Sequence, residues 1–447
     1  MNPSKMNGGF WLMSEQRKAL DALREELRER IEANERRFDD PYYRIEGVFQ
    51  PADADWPGDK EGRALLAYVS HYRIFGRVIP CVEEMLRELP KHTNAHFYFG
   101  PPAGKRIHEQ QLSGHSWLLR GLCEHYEQFK DAFSLAALRS VTEHLYLPLL
   151  GRFSTYPVDR EKIDRGGVSG ANVGVVGDWL LSSDTGCAFM SIDGLSHVYA
   201  LTDDARVLQL LTEMTARFRT MDKAGMRLQT HCTLTAARGM LRLYEKTGDA
   251  QFLHDAKDIF TLYTRGGGMS RTYQNLNWWG RPDTWTEPCA IVDSLMLAGE
   301  LFRLTGSDTY RRFAARIFAN GFASAQRENG GAGTDSIVLP GQPYLYLKME
   351  EAFFCCTMRL AEGLRYAWDH AEMIVPETTG KLKRDAEGRY HDGDLLYAEI
   401  QEAGNADVAS YLPEAVTVDG HRLVPLVKYY RLPMAIAREL RQRVLFD

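Results

Sequence analysis

The chain has 447 residues, 44% apolar and 26% charged, a balance that calls for a packed core and excludes extended disorder. Its formal net charge of −6 comes from interspersed acidic and basic residues, and no Lys/Arg block asks for nucleic acid or an anionic membrane. No apolar run suits a bilayer span or a secretory leader, and the seven cysteines (Cys81, Cys123, Cys187, Cys232, Cys289, Cys355, Cys356) form no disulfide framework, so a cytoplasmic, reducing location is expected.

The first expected helix covers 14–37, Glu/Arg-rich with a narrow apolar stripe at Leu20, Leu23 and Leu27. After a loop rich in Pro, Asp and Gly (39–62), helical patterns recur at 63–88, 111–129, 131–147, 188–200, 205–218, 227–246, 250–264, 287–304, 309–326 and 355–370. A motif repeats three times: an aromatic residue closes one helix, a Thr-containing turn follows, and a second amphipathic helix opens. The copies begin at Tyr199, Tyr244 and Phe302. Gly248 and Gly306 suit the left-handed position after a helix, and Asp204, Asp249 and Asp308 suit the N-cap of the next. One such hairpin cannot bury its own apolar face, so neighbours must stack. The long, irregular returns at 151–186, 265–286 and 328–354 carry aromatics, glycines and ionisable groups, which favours a closed α/α barrel with functional loops at one end over an open solenoid. The glycine-rich stretch 167–177 lacks the context of a phosphate loop and reads as a mobile loop.

Near Met373 the character changes. The tail has Gly-Asp, Asp-Gly and Pro turns between short β-type runs, a hairpin-like turn at 418–421 and a helix-like segment at 434–444. The expected domains are therefore a mainly α barrel over 1–373 and a small, partly β module over 374–447.

Two segments carry the chemistry: Trp285-Thr-Glu-Pro-Cys289 and Phe353-Phe-Cys-Cys-Thr357. Pro288 fits the first turn of a helix and would hold Glu287 and Cys289 at its entrance, while Cys355 and Cys356 open the next long helix. Helix N-termini favour thiolates, and three thiolates with one carboxylate are four ligands of the kinds zinc accepts. The spacing is not the Cys-x-x-Cys of structural zinc sites, and plain core cysteines remain the alternative.

Glu287-Pro-Cys289 leading into a helix, the Arg311–Gly321 stretch, and Cys355-Cys356 leading into Arg-Leu-Ala-Glu-Gly-Leu together resemble the zinc–cysteine β-L-arabinofuranosidases, family 127 of the glycoside hydrolases. The resemblance covers roughly 118–368 and departs elsewhere. It implies an (α/α)6 barrel, zinc on Glu287, Cys289, Cys355 and Cys356, and Cys355 as the nucleophile of a retaining hydrolysis. It also implies a glutamate acid/base some fifteen residues before Glu287, where this sequence has Arg271 and no glutamate at all. Asp283 is the nearest carboxylate, as proton donor or as a cap of its turn.

The same resemblance suggests sugar contacts for His231 and Asp193. His115 follows a glycine at a helix entrance, and the Trp278–Trp279 pair suits either a sugar ring or lid packing. The expected function is a zinc-dependent, cysteine-nucleophile glycosidase acting on a small glycoside or oligosaccharide, with a homodimer left open. Two alternatives stand beside it. One is a barrel enzyme of other chemistry, an unsaturated-uronide hydrolase or sugar epimerase using Asp193, His115 and His231. The other is a non-catalytic, zinc-stabilised sugar-binding or assembly protein.

Overall fold

The computed structural model describes residues 3–51, 56–76, 80–158, 169–336, 344–401, 415–429 and 441–443. The helical periodicity is realised as α1 (Pro3–Arg37), α2 (Asp59–Phe75), α3 (Pro80–His92), α4 (Glu109–Phe129), α5 (Ala132–Val141), α6 (Ser191–Thr202), α7 (Ala205–Arg219), α8 (Thr230–Thr247), α9 (Ala250–Arg265), α10 (Pro288–Thr305), α11 (Asp308–Arg316) and α12 (Cys356–Asp369). The even-numbered helices make an inner wall. α2 packs on α4, α4 on α6, α6 on α8, α8 on α10 and α10 on α12, and α12 returns to α2, closing a ring. Each odd-numbered helix lies against one of them: α1 on α12, α3 on α2, α5 on α4, α7 on α6, α9 on α8 and α11 on α10.

Burial explains this division. α4, α8, α10 and α12 are buried nearly all round over most of their length, whereas α7 and α9 bury one stripe and expose the rest. Close approach inside the ring depends on missing side chains. A Cβ on Gly62 would stand 2.1 Å from the Leu118 amide nitrogen, and one on Gly239 would stand 2.6 Å from the Ile192 carbonyl oxygen. Glycine there lets the backbones of α2 and α4, and of α6 and α8, meet.

Several local expectations shift. The single helix expected at 63–88 is two, because Gly76 turns left-handed (φ 65°) after α2 and α3 opens at Pro80. The patterns at 131–147 and 309–326 begin as α-helix but continue as wider π turns, Thr142–Tyr146 and Ile317–Phe322. Asp204 and Asp249 cap their helices through the amides of Arg206 and Gln251. In the third copy Ser307 takes the cap position, and Asp308 becomes the first helical residue, where its charge suits the helix dipole.

A small sheet beside the ring has the order β1-β3-β2, from Ile107–His108, Trp179–Ser182 and Asn172–Val176 respectively. The glycine-rich stretch expected as a mobile loop is therefore ordered over 172–176, where β2 pairs antiparallel with β3 through a bulge; 167 and 168 lie outside the described residues. A larger sheet follows, with β4 (Thr334–Ser336), β5 (Tyr344–Met349), β6 (Lys383–Arg384), β7 (Tyr390–Asp392), β8 (Leu395–Gln401), β9 (Val416–Val418), β10 (His421–Pro425) and β11 (Arg441–Arg443). Its order is β4-β5-β11-β8-β10-β9, with β7 on β8 and β6 on β7, so the return at 328–354 contributes two strands. Asp419 and Gly420, both with positive φ, turn β9 into β10 as the hairpin pattern requires. The helix-like reading of 434–444 fails where it can be compared: 441–443 is strand, bridging β5 and β8, and the remainder lies outside the described residues. Among the described residues no helix is long and apolar enough to cross a membrane.

The inside of the ring is ionic rather than oily. Asp293 on α10 accepts from Arg238 on α8 and Arg359 on α12, each at 2.6 Å. Glu362 on α12 meets Arg120 of α4 at 2.7 Å and Arg238 at 3.3 Å. Asp193 on α6 meets Arg242 at 2.8 Å and Arg120 at 3.1 Å. Farther along, Glu124 gathers Arg73 of α2, Arg365 of α12 and Arg120. Removing one member strands its partners. Asp293→Ala leaves two buried guanidiniums short of a counter-ion and should cost about 3–5 kcal/mol, read as a fall in the urea midpoint; an unchanged midpoint would deny the column a structural role.

Candidate functional site

The N-termini of the inner helices converge at one end of the ring. Glu287 occupies the N-cap of α10, Pro288 its first turn, and Cys289 the next position, while Cys355 is the N-cap of α12 and Cys356 its first residue. Because α10 and α12 are neighbours, the two segments meet. The Cys356 sulfur lies 3.5 Å from those of both Cys289 and Cys355, and all three fall within 4.8 Å of one another. Glu287 shares a second such cluster with Cys289 and His231.

The three sulfurs have the spacing of three corners of a tetrahedral metal site, with Glu287 beside Cys289 in the adjoining cluster. Zinc–sulfur bonds of about 2.3 Å imply sulfur–sulfur edges of about 3.8 Å, close to the separations seen. The electrostatics agree. Burial pushes the Cys289 thiol well above its usual range, and contact with Cys289 does the same for Cys356. Cys355 also ends high, although its contact with Cys289 pulls the other way. Three adjacent sulfurs of this kind stay protonated unless a cation takes the protons' place.

Surrounding groups fix the cluster. The Glu287 amide donates to Asn275 Oδ1 at 2.7 Å. His231, at the start of α8, stands with Nδ1 3.0 Å from Glu287 Oε1 and Nε2 3.2 Å from Asp293 Oδ2. Burial opposes charge on His231, but the two carboxylates outweigh it and raise its pKa. It thereby couples the ionic column to a ligand of the cluster, as outer-sphere partners of metal sites do. Arg63 of α2 points Nη1 at Cys289 Sγ (3.5 Å), pairs with Asp59 at 2.6 Å and lies 4.0 Å over the Trp117 ring.

Above the sulfurs is a cavity of about 60 Å³, lined among others by Trp56, Asp59, Ser169, Asp184, Gln229 and Cys355. Cys355 is the partly exposed member of the seven cysteines; the other six are buried. Asp184, which sequence reasoning passed over, sits in this wall. Its carboxylate accepts from Ser169 Oγ (2.9 Å to each oxygen), the Gly170 amide (2.7 Å) and Gln229 Nε2 (3.2 Å). The same Gln229 nitrogen stands 3.4 Å from Glu287 Oε2. Burial first, and the Glu287 charge second, push the Asp184 carboxyl up to about 7.

Other expected contacts fall elsewhere. Asp283 is a correction: its side chain is 54% exposed, clamped by Arg281 at 2.7 and 2.6 Å, and held ionised by that pairing, so it neither lines the cavity nor keeps a proton to give. Asp193 belongs to the ionic column. His115 has both nitrogens engaged, one accepting from the Phe99 amide at 2.9 Å and the other 2.7 Å from Gln111 O. Trp278 and Trp279 are buried, their indole N–H groups donating to Ser183 O and Thr233 Oγ1, so they pack the floor of their loop rather than offer a face to a sugar. His231 is the predicted sugar-binding residue that the fold brings to the cavity. A third ligand-like cluster, Glu124, Glu127 and His197, is already neutralised by Arg73 and Arg120, with Arg365 on Glu124.

No family model and no curated protein matches this chain. Among solved structures, a family 127 β-arabinofuranosidase superposes with a TM-score of 0.52 at 11% identity, over 83% of this chain and 63% of that one. A family 127 β-L-arabinofuranosidase from Geobacillus stearothermophilus T6 gives 0.49 at 13%, covering 97% and 80%. A cellobiose 2-epimerase from Bacillus thermoamylovorans gives 0.48 at 11%, covering 70% and 87%. This chain thus spans 63% of the length of the first, and at such identity the likeness is one of fold.

Two outcomes follow from the site's exposure and charge. In native protein held with a chelator, the first equivalent of iodoacetamide should label Cys355, and Cys355→Ala should remove that fast phase; labelling spread evenly over the cysteines would contradict the burial pattern. A carboxyl raised in the folded state contributes its stability below about pH 4 and loses it as pH climbs through about 7. Among the described residues the charged groups around Asp184 are Glu287, His231, Asp59 and Arg63, none of which Asp184→Asn alters. The urea midpoint of that variant should therefore gain on wild type between about pH 4 and 8, whereas parallel curves would show an Asp184 already ionised at low pH.

Proposed function

We propose that this chain is a zinc-dependent glycoside hydrolase built on an (α/α)6 barrel, with Cys355 as nucleophile and net retention at the anomeric carbon. The observation that carries this is the convergence of three sulfurs and Glu287 beneath a cavity in which Cys355 is the accessible thiol. Glu287, Cys289, Cys355 and Cys356 would hold the metal, which supplies the positive charge that keeps these buried sulfurs deprotonated.

The chain's own residues account for the remainder. Cys355 Sγ forms a bond to the anomeric carbon as the glycosidic C–O bond breaks, and water later displaces the sulfur from the same face. His231, fixed between Glu287 and Asp293, orients the carboxylate beside the nucleophile. Arg63 sets a positive charge against Cys289 and so moderates the excess negative charge of three thiolates and a carboxylate. The likeness in fold to a β-arabinofuranosidase makes β-L-arabinofuranosides and related pentosides the substrates to try first. Of the residues the rival chemistry would use, His231 lines the cavity, whereas Asp193 and His115 are engaged away from it.

Purified protein should carry about one zinc per chain by plasma mass spectrometry, as a four-ligand site requires, and Cys289→Ala should lose it. Hydrolysis of p-nitrophenyl β-L-arabinofuranoside should fall at least about a thousandfold in Cys355→Ala, as expected for a lost nucleophile. Full activity in that variant, or no bound metal after purification with zinc supplied, would sink the thiolate mechanism.

A further inference from the structure

We infer that Asp184 is the proton donor and acceptor of the site, filling the role for which the loop at 266–286 offers no glutamate, an inference that rests on the glycosidase reading above. Four observations lead to it. First, Asp184 shares a cavity with Cys355, and among the described residues it is the carboxylate there that forms no ion pair: Asp59 is paired with Arg63, and Glu287 with His231. Second, it is fully buried, and the Gln229 amide reaches from it to Glu287, so two carboxylates share one donor. Neighbouring acids of this kind avoid holding two charges at once, and the one without a cation keeps the proton; the upward push on Asp184 agrees with that assignment.

Third, Ser169 lies 2.9 Å from both carboxylate oxygens. Its hydroxyl donates to the ionised form and can turn to accept from the protonated one, so either state has a local partner. Fourth, Gln229 is 4% exposed, its Nε2 is committed to the two acids, and its Oε1 has no hydrogen-bond partner among the described residues. A buried amide oxygen left open at the cavity wall is an acceptor waiting for a hydroxyl, which a sugar supplies beside the reacting carbon.

The steps balance. Asp184–COOH gives its proton to the glycosidic oxygen as the C–O bond breaks and the Cys355 S–C bond forms, releasing an alcohol and leaving Asp184 ionised. The carboxylate then takes a proton from water as the new C–O bond forms and the S–C bond breaks. Sugar leaves, and both the thiolate and the acid are restored.

The test compares wild type with Asp184→Ala on two glycosides that differ in leaving group, p-nitrophenyl and methyl β-L-arabinofuranoside, with and without sodium azide. Loss of the acid should slow the methyl glycoside by about 10²–10⁴-fold and spare the first step of the nitrophenyl one, whose leaving group needs no proton. Azide should restore turnover of the nitrophenyl substrate and yield a glycosyl azide of retained configuration. Zinc content should match wild type. An equal loss on both substrates without azide product, or a variant that has lost its zinc, would give Asp184 a structural part and overturn the inference while leaving the Cys355 reading intact. Wild type inert towards both glycosides, with zinc bound, would instead overturn the glycosidase reading itself and this role with it.

Discussion

Everything in this molecule is arranged around a column of buried charge. Arg120, Arg238, Arg242 and Arg359 fill the inside of the ring, answered by Asp193, Asp293 and Glu362. Taking these ions out of water is costly, and only close, multiple pairing offsets it. Burial lowers even the Arg359 guanidinium to about 10, still charged at neutral pH. The pairing ties α4, α6, α8, α10 and α12 together, and Arg73 on Glu124 adds α2. A helix that slipped by one residue would lose its partners as well as its packing, so the column fixes the register of the ring far more tightly than apolar contact alone.

That register is what builds the site. Glu287 and Cys289 enter on one helix, Cys355 and Cys356 on another, and their sulfurs meet because α10 and α12 are held side by side. His231 transmits the same constraint upward, since Asp293 is at once a member of the column and a neighbour of the imidazole that faces Glu287. The site therefore stands on a rigid floor, while Trp56, Phe354 and the two ends of the β2–β3 hairpin, Ser169 and Asp184, contribute to the cavity wall. This division suits a centre in which one sulfur must serve as both ligand and nucleophile, where placement counts as much as basicity.

The acidic residues divide by their surroundings. Asp193 and Asp293 lie among guanidiniums and remain ionised despite burial. Asp184 has hydrogen-bond donors but, among the described residues, no ion-pair partner, and burial beside Glu287 lifts it to about 7. Composition and spacing do not separate these three; what each touches does.

By itself, the sequence determined the helical hairpins, several of their caps and the two segments that bear the sulfurs. These are local matters: apolar periodicity, the left-handed glycines at 248 and 306, a proline at 288 that starts a helix and keeps the residues beside it at its mouth. The breaks at Gly76 and the π turns were less legible, because they arise where packing overrides the helical repeat. Only the tertiary structure decided which polar residues face the cavity. Asp193, His115 and the tryptophan pair carried the right chemistry but are spent on the column and the loop floor, and Asp283 is spent on Arg281. Asp184, Gln229 and Arg63 reach the cavity from three separate parts of the chain, and Arg63 touches a sulfur. Residues far apart in sequence have no common spacing to reveal them, and their protonation depends on neighbours that exist only once the ring has closed.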